Sequence, residues 1–477
     1  MKFYHYIIVL IFIQFSCSNF EEINTDPARA SETLPEYLLA NAEKSATDLI
    51  YHQYYNARQG MQLAQYWMGT DKTSDGRYLF TDDGIWSSLY SGPLADLREI
   101  HNYYDDNPEV EGEATKAAAE ILEAWIFHIL SDLYVDVPYS QSLMGEEYIQ
   151  PQFDTGESIY TSILNSLSDQ IEILNNTSTF IIGDIIAGGD KDTWIKFANA
   201  LRLRIAMRMI DVRESEAREI IEEAAQNTIS SSEENVFFPY NESTVSNRFP
   251  FNDVERPIIQ FAVTTTMIDY LKEVNDPRLS IYASVDETNG EYIGKDYGQE
   301  ANDPTVIELS KPGSAAFSGS AKGYIITYAE VAFTLAEAAA RGMNVGQTAE
   351  EWYQEGIEAS MVQWGIEDQE TIDQYIEGVP YDSGSWNNVI GTQKWLAMYM
   401  QGLQAWFERL RMDFKKPNGE DLFVAPVSGS LDPDVEYLPG RLLYPTSTKA
   451  NNTQNSEEAS QRIGGDSQAT KNWWDVK

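Results

Sequence analysis

The hydrophobic pattern is most informative from Gly323 to Gly342, which reads GYIITYAEVAFTLAEAAARG. Its polar residues Thr327, Glu330, Thr334, Glu337 and Arg341 recur at steps of three and four. That spacing keeps them on one narrow stripe of an α-helix. The remaining positions are apolar or alanine, so the helix needs neighbours on several sides, and its alanines let other helices approach closely. Glu337 and Arg341 are placed to pair one turn apart, worth about 0.3–0.5 kcal/mol on an exposed face. Gly342 supplies a stop. The stretch predicts a central helix of an all-helical array.

The same periodicity predicts further helices. A first one runs from Leu34 to about Tyr51, with Leu38, Ala42 and Leu49 on one face. Another spans Ala114 to Tyr134, its core face formed by Ile121, Leu122, Trp125, Ile129 and Leu133, and it stops at Asp136-Val137-Pro138, because proline lacks an amide donor and restricts the residue before it. A short helix is predicted near Ser158 to Leu174, then a break at Gly188-Gly189-Asp190, then a helix from Trp194 to Val212. Arg202, Arg204 and Arg208 on that helix either hold an anion or pair with carboxylates of adjacent helices. Pairing is favoured in so acidic a chain. The last helices are Ala349 to Gly365 and Thr392 to Arg411.

Two stretches lack sustained helical periodicity. Tyr51 to Leu97 is crowded with aromatics, and its part from Gly69 to Gly84 reads as loop. Val236 to Ala321 is rich in Pro, Gly, Asn and aromatic residues, helical only around Ile259 to Lys272, with Asn275-Asp276-Pro277-Arg278 as a turn. A long region of this kind forms a loop-rich subdomain or carries a binding site. From Lys415 the tail is irregular. Segment boundaries follow: 34–235 for an N-terminal helical part, 236–321 for a loop-rich insertion, 322–415 for core helices and 416–477 for the irregular end.

Charge narrows the partners. The chain of 477 residues holds 33 Lys and Arg against 75 Asp and Glu, a net charge of −42. Such a surface repels phosphate backbones and anionic lipid headgroups, which argues against nucleic-acid binding and against electrostatic membrane adhesion. At the N-terminus, Lys2 and the apolar run Tyr6 to Phe15 have the form of an export signal, too short for a membrane anchor of roughly 20 residues. Ser16-Cys17 follows directly, and Cys17 is the only cysteine. With no second cysteine to pair with, Cys17 is predicted to carry lipid, with 1–16 as a lipoprotein signal peptide and 17–33 as an acidic tether.

No catalytic constellation appears. The four histidines are scattered, and no zincin, nucleophile-elbow, phosphate-loop or dinucleotide-binding pattern occurs. The chain is read as a non-enzyme that needs no cofactor. Asp71 to Asp82, DKTSDGRYLFTD, scans as a calcium loop, with Asp71, Thr73, Asp75, Gly76 and Asp82 at the liganding and turn positions. Asp rather than Glu at its last position, and the lack of a helix before it, favour a polar surface loop instead, so no metal site is assigned. Aromatic rings in loops stack on the C–H faces of sugars. On that ground Trp67, Tyr78, Trp86 and Trp386 are the candidate ligand contacts, each also able to plug a core.

Several stretches together resemble one family. YAEVAFTLAEAAARG is similar to the core helix of the SusD/RagB proteins, in the branch called SusD-like 2. The acidic Phe20 to Pro27 (FEEINTDP), DLYVDVPYSQSL from Asp132, the Trp194 helix, the QKW…AWFERLR stretch and the terminal Trp473-Trp474-Asp475 are similar to it as well. The family often has two adjacent arginines where Arg409 and Arg411 flank Leu410. The resemblance implies a mainly α fold, a tetratricopeptide-like array of helical pairs with a loop-rich second subdomain. It also implies a surface-exposed outer-membrane lipoprotein that binds an oligosaccharide or peptide and delivers it to a SusC-like TonB-dependent transporter as a lid. A helical scaffold that binds only envelope proteins and a glycan hydrolase with an unrecognised site stand as alternatives.

Overall fold

The computed structural model describes residues 33–80, 84–252, 260–300 and 306–477. Its main helices are α1 (Pro35–Ile50), α2 (Gly84–Leu89), α3 (Ala95–Asp106), α4 (Glu113–Tyr134), α5 (Gly156–Asn176), α6 (Lys191–Arg208) and α7 (Glu214–Ala224). They continue as α8 (Thr265–Glu273), α9 (Tyr328–Ala340), α10 (Ala349–Gln363), α11 (Gln369–Gly378), α12 (Trp386–Ala397), α13 (Gly402–Met412) and α14 (Thr453–Arg462). Consecutive helices pack as pairs, most extensively α9 with α10 and α4 with α5, followed by α6 with α7. The predicted helical-pair array is therefore the architecture.

The strands β1 (Trp67–Gly69), β2 (Val236–Pro239), β3 (Phe261–Val263) and β4 (Lys322–Ile326) form two antiparallel ribbons, β1 with β3 and β2 with β4. Each ribbon joins a loop-rich stretch to a helical one. Core packing does the same: Phe251, Phe261, Tyr270 and Tyr282 share one apolar cluster with Phe333, Trp395 and Tyr399.

Four sequence-based boundaries need correction. The central helix starts at Tyr328 rather than Gly323, because β4 takes the residues before it and the Thr327 hydroxyl caps the Glu330 amide at 3.3 Å. Thr392 to Arg411 is two helices, not one: α12 ends at Ala397, and Met400 turns the chain with a left-handed φ of 75°. The turn is forced by a close approach, since a Cβ on Gly402 would lie 2.3 Å from the Met61 amide nitrogen. The stretch from Gly84 to Asp106, for which no helix is predicted, is almost wholly helical. The tail carries α14, packed on the loop after α4 through Arg462, which bonds Asp136 at 2.7 Å.

The polar stripe of α9 is buried, with Glu330, Thr334 and Glu337 each at most 2% exposed. Glu330 receives a two-bond contact from Arg204 of α6 at 2.6 and 2.8 Å. Glu337 receives one from Arg411 of α13 at 2.8 and 2.6 Å, with Arg341 of its own helix at 3.0 Å. Arg411 also bonds Glu408 at 2.7 Å, and Glu408 is shared with Lys394 of α12 and Arg208 of α6, both at 2.9 Å. Arg208 reaches on to Asp132 of α4 at 3.5 Å. The pairing reading of the α6 arginines holds, and Arg202 completes it with Glu223 at 2.8 Å.

Burial alone would raise the Glu337 carboxyl, but Arg411, followed by Arg341 and Lys394, holds it down at about 2, against an ordinary 4.5. A folded carboxyl that ionises more readily than the unfolded one contributes stability that is full above about pH 4.5 and lost as pH falls towards 2. Glu337→Gln leaves Arg411 short of its partner in the interior, which is expected to cost about 3–5 kcal/mol at neutral pH. Denaturant titration checks the magnitude. The same titration repeated at falling pH should show the variant losing less stability than wild type below pH 4.5.

Candidate functional site

The structure places the four predicted ligand aromatics differently from one another. Trp67 is wholly buried in β1, its indole N–H donating to the Tyr399 hydroxyl at 2.9 Å and its ring stacked on Phe317. Tyr78 is also fully buried, its hydroxyl donating to the Tyr437 carbonyl. For these two the sugar-facing expectation is corrected. Strand pairing with distant Val263 covers Trp67, a non-local contact that no local pattern announces. Trp386 is half-buried at the start of α12 beneath the Arg341 guanidinium, 5.2 Å from its ring centre.

Trp86 lines a surface groove of about 410 Å³ with Tyr90, Pro138, Leu143, Pro151 and Asn452. Only 6% of it is exposed, since Tyr90, Tyr134, Phe153 and Tyr444 enclose the ring. Two of the groove's polar side chains are already engaged: the Asn452 amide donates to the Pro151 carbonyl at 2.7 Å, and the Ser91 hydroxyl to the Ser87 carbonyl at 2.8 Å.

The calcium-type spacing also finds another use. Asp75 is buried in a short 3-10 turn and accepts from Arg58 at 2.5 and 3.0 Å, so a guanidinium already neutralises it. Asp82 lies outside the described residues, as does Cys17.

A second cleft, of about 390 Å³, has a different character. It opens between the end of α10, the turn at Met400 and the loop-rich stretch that contributes Phe249, Ser318, Ser320 and Tyr324. Gln363, the last residue of α10, and Trp364 after it form one wall; Gly365, with a φ of 81°, lets the chain turn away immediately behind them. The Trp364 indole N–H and both polar atoms of the Gln363 amide are buried without a hydrogen-bond partner among the described residues. Unmade bonds of this kind cost roughly 1–3 kcal/mol each unless another group satisfies them.

The rest of the cleft is rigid. The Trp364 ring is wedged edge-on against Tyr282 and Tyr399, at centroid distances of 5.1 and 5.6 Å. Tyr399 in turn carries the bond to Trp67, so the predicted Trp67 supports the floor of the cleft from beneath. Met400 keeps its left-handed backbone because Asn56 clamps it, donating to the Met400 carbonyl at 2.8 Å while accepting from the Gly402 amide at 3.1 Å. Strain of that kind, about 1 kcal/mol, is held where the surroundings over-determine it. Lys322 at the rim sits 4.4 Å over the Phe237 ring, and burial pushes the Tyr324 phenol up to about 12, so it stays a neutral donor. An aromatic wall with unspent amide and indole groups suits a ligand that has C–H faces and closely spaced hydroxyl or amide groups. Sequence reasoning missed Gln363 and Trp364 because a glutamine and a tryptophan before a helix-stopping glycine read as an ordinary helix end.

Comparison with known proteins adds the following. Residues 27–445 match the SusD-like 2 family model, described as starch-binding and associating with the outer membrane. A solved structure of a chitin-binding protein shares 24% identity at a TM-score of 0.83, over 93% of this chain and 100% of that one. A chitin-binding SusD homologue from Flavobacterium johnsoniae shares 22% at 0.81, covering 93% and 99%. A SusD homologue from Bacteroides uniformis shares 23% at 0.77, covering 92% and 100%. No curated protein matches the sequence.

The two kinds of tryptophan separate experimentally. Trp67→Ala is expected to destabilise the protein by about 3–5 kcal/mol, as removal of a core indole does. Trp386→Ala, half-exposed and held by one cation–π contact, is expected to cost about 1 kcal/mol. Thermal and denaturant unfolding of the two variants checks the contrast.

Proposed function

The chain belongs to the SusD-like family, and on that premise we propose that it captures a soluble oligosaccharide at the cleft beside Gln363 and Trp364. The Gln363 amide and Trp364 indole N–H, which have no hydrogen-bond partner among the described residues and belong to side chains lining the cleft, carry this reading. An N-acetylated sugar fits those groups: its acetamide carbonyl accepts from the indole N–H and its acetamide N–H donates to the glutamine oxygen. Chitin binding by two proteins of the same fold supports that class over plain glucans and peptides. Catalysis is not part of the proposal, because the cleft holds neither a carboxylate pair nor a nucleophile with a base beside it.

Calorimetric titration with chitooligosaccharides, malto-oligosaccharides and a peptide mixture tests the reading. Binding without turnover is expected for the chitooligosaccharides. Trp364→Phe, which keeps a ring and removes the N–H, and Gln363→Ala should each weaken it by about 10- to 100-fold with little change in melting temperature. Binding that both variants retain would move the site elsewhere; absence of binding to any sugar would remove the function.

We further propose that Cys17 carries the lipid anchor and that the protein works as a lid on a TonB-dependent outer-membrane barrel. Among the described residues no helix is long and apolar enough to cross a membrane, so a binder of this kind needs a separate channel for import. Gentle extraction from the native membrane is expected to recover the protein together with a large β-barrel. Cys17→Ala should leave the membrane fraction, since stable attachment needs more than one buried acyl chain. Recovery of the wild type alone, or retention of the variant, would count against the respective half of this proposal.

A further inference from the structure

A cluster on the far side of the helical array has no part in the cleft. His101 lies on α3, while Glu120 and Glu123 lie one turn apart on α4, a spacing that puts both carboxylates on the face turned to α3. One ligand atom from each of the three side chains falls within 4.8 Å of the other two. Among the described residues, no other group of histidine, cysteine and acidic side chains converges in this way. His101 is only 9% exposed, and its Nε2 has no hydrogen-bond partner among the described residues, although Glu120 Oε1 stands 3.3 Å away in ion-pair range. A buried imidazole nitrogen beside two carboxylates, with its hydrogen bond unmade, leaves a donor set that packing does not satisfy.

The other charged groups in the neighbourhood do not resolve it. Lys116 is engaged with Asp105 at 2.8 Å. Ser166 of α5 donates to the second oxygen of Glu120 at 3.3 Å. Arg98 is near, and its Nε is buried with no hydrogen-bond partner among the described residues. Two carboxylates and an imidazole crowded together suit a compact cation.

We propose that His101, Glu120 and Glu123 bind one divalent transition-metal ion of the zinc type, which clamps α3 to α4. The donor set selects the class: one nitrogen with two carboxylate oxygens suits zinc and its neighbours, whereas calcium and magnesium prefer all-oxygen shells. The remaining coordination position is left to water. The role is structural, because an ion bound only by the folded state stabilises it by mass action. This site is separate from the sugar cleft and does not depend on that reading.

The test uses the mature protein, stripped with chelator and titrated with zinc chloride by calorimetry, with calcium and magnesium chloride alongside. One equivalent of zinc is expected to bind at micromolar concentration or tighter and to raise the melting temperature, reversibly on adding chelator. Calcium and magnesium should do neither. Glu123→Gln, close in shape to the protonated carboxyl, should weaken zinc binding at least about 10-fold while circular dichroism stays unchanged. His101→Gln should do the same, and if it fails to fold, Glu123→Gln decides alone. Absence of zinc binding, equal binding of calcium, or unaltered stoichiometry and affinity in Glu123→Gln would overturn the proposal.

Discussion

The Arg411–Glu337 contact is the constraint on which the array depends. An alanine-rich helix such as α9 lets α6, α10 and α12 close in, but its polar stripe then has nowhere to face except the interior. Each buried charge costs several kcal/mol to desolvate, and only well-made bonds offset that. The structure meets the requirement with the Glu330–Arg204 pair and, beside it, a continuous chain of partners from Glu337 through Arg411, Glu408 and Arg208 to Asp132. Asp132 is the far end: Tyr160 of α5 and the Trp474 indole both donate to it, which ties the C-terminus to α4. A slip of one helix along another would strand several charges together, so the network sets the register of α4, α6, α9, α12 and α13 jointly.

The same logic explains the scarcity of cations on the surface. Arg204, Arg208, Arg278, Lys394, Arg409 and Arg411 are all buried, most of them beside buried carboxylates, so the acidic excess of the chain is carried by its exterior. Arg278 does for the loop-rich stretch what Arg411 does for the helices. It holds Asp276 at 2.9 and 2.6 Å and reaches Ser360 of α10 at 2.8 Å and Gln393 of α12 at 3.0 Å. Ser360 lies one turn before Gln363, so the anchor of the loop-rich stretch and the wall of the cleft are parts of one helix end. The cleft is therefore positioned by buried charge, although it contains none.

Much of the fold was legible because helical periodicity is a local signal. The stripe of α9, the core face of α4 and the pairing of the α6 arginines could all be read from spacing and overall acidity. What could not be read depended on distant partners. Thr327 caps a helix only because β4 pairs with β2 and ends the extended run there. The break at Met400 follows from glycines at 60 and 402 bringing two backbones together. The site suffered most: Trp67 resembled a loop aromatic until β3 covered it, and Trp364 resembled a helix end until the loop-rich stretch faced it. Trp67 underlies the cleft from within the core, and no local signal marked Gln363 and Trp364 as its wall.

The electrostatics of the molecule then bear on which ligands the cleft could accept in the role proposed for it. A net charge of −42 sets up a repulsive field for any anion approaching the surface. Among the described residues Lys322 is the one cationic side chain lining the cleft, and it is drawn over Phe237. Acidic polysaccharides and acidic peptides would therefore lose on approach more than that single ammonium returns. A neutral chain has no such loss, and its recognition rests on ring contact and on the hydrogen bonds that Gln363 and Trp364 leave unmade. Those forces are short-ranged and barely screened, so capture by this cleft should be nearly independent of salt, whereas any contact the protein makes through its acidic exterior should weaken as salt rises. Uncharged binding groups within a strongly charged shell separate the two tasks: the shell discriminates by sign, and the cleft by the placement of C–H faces and amides.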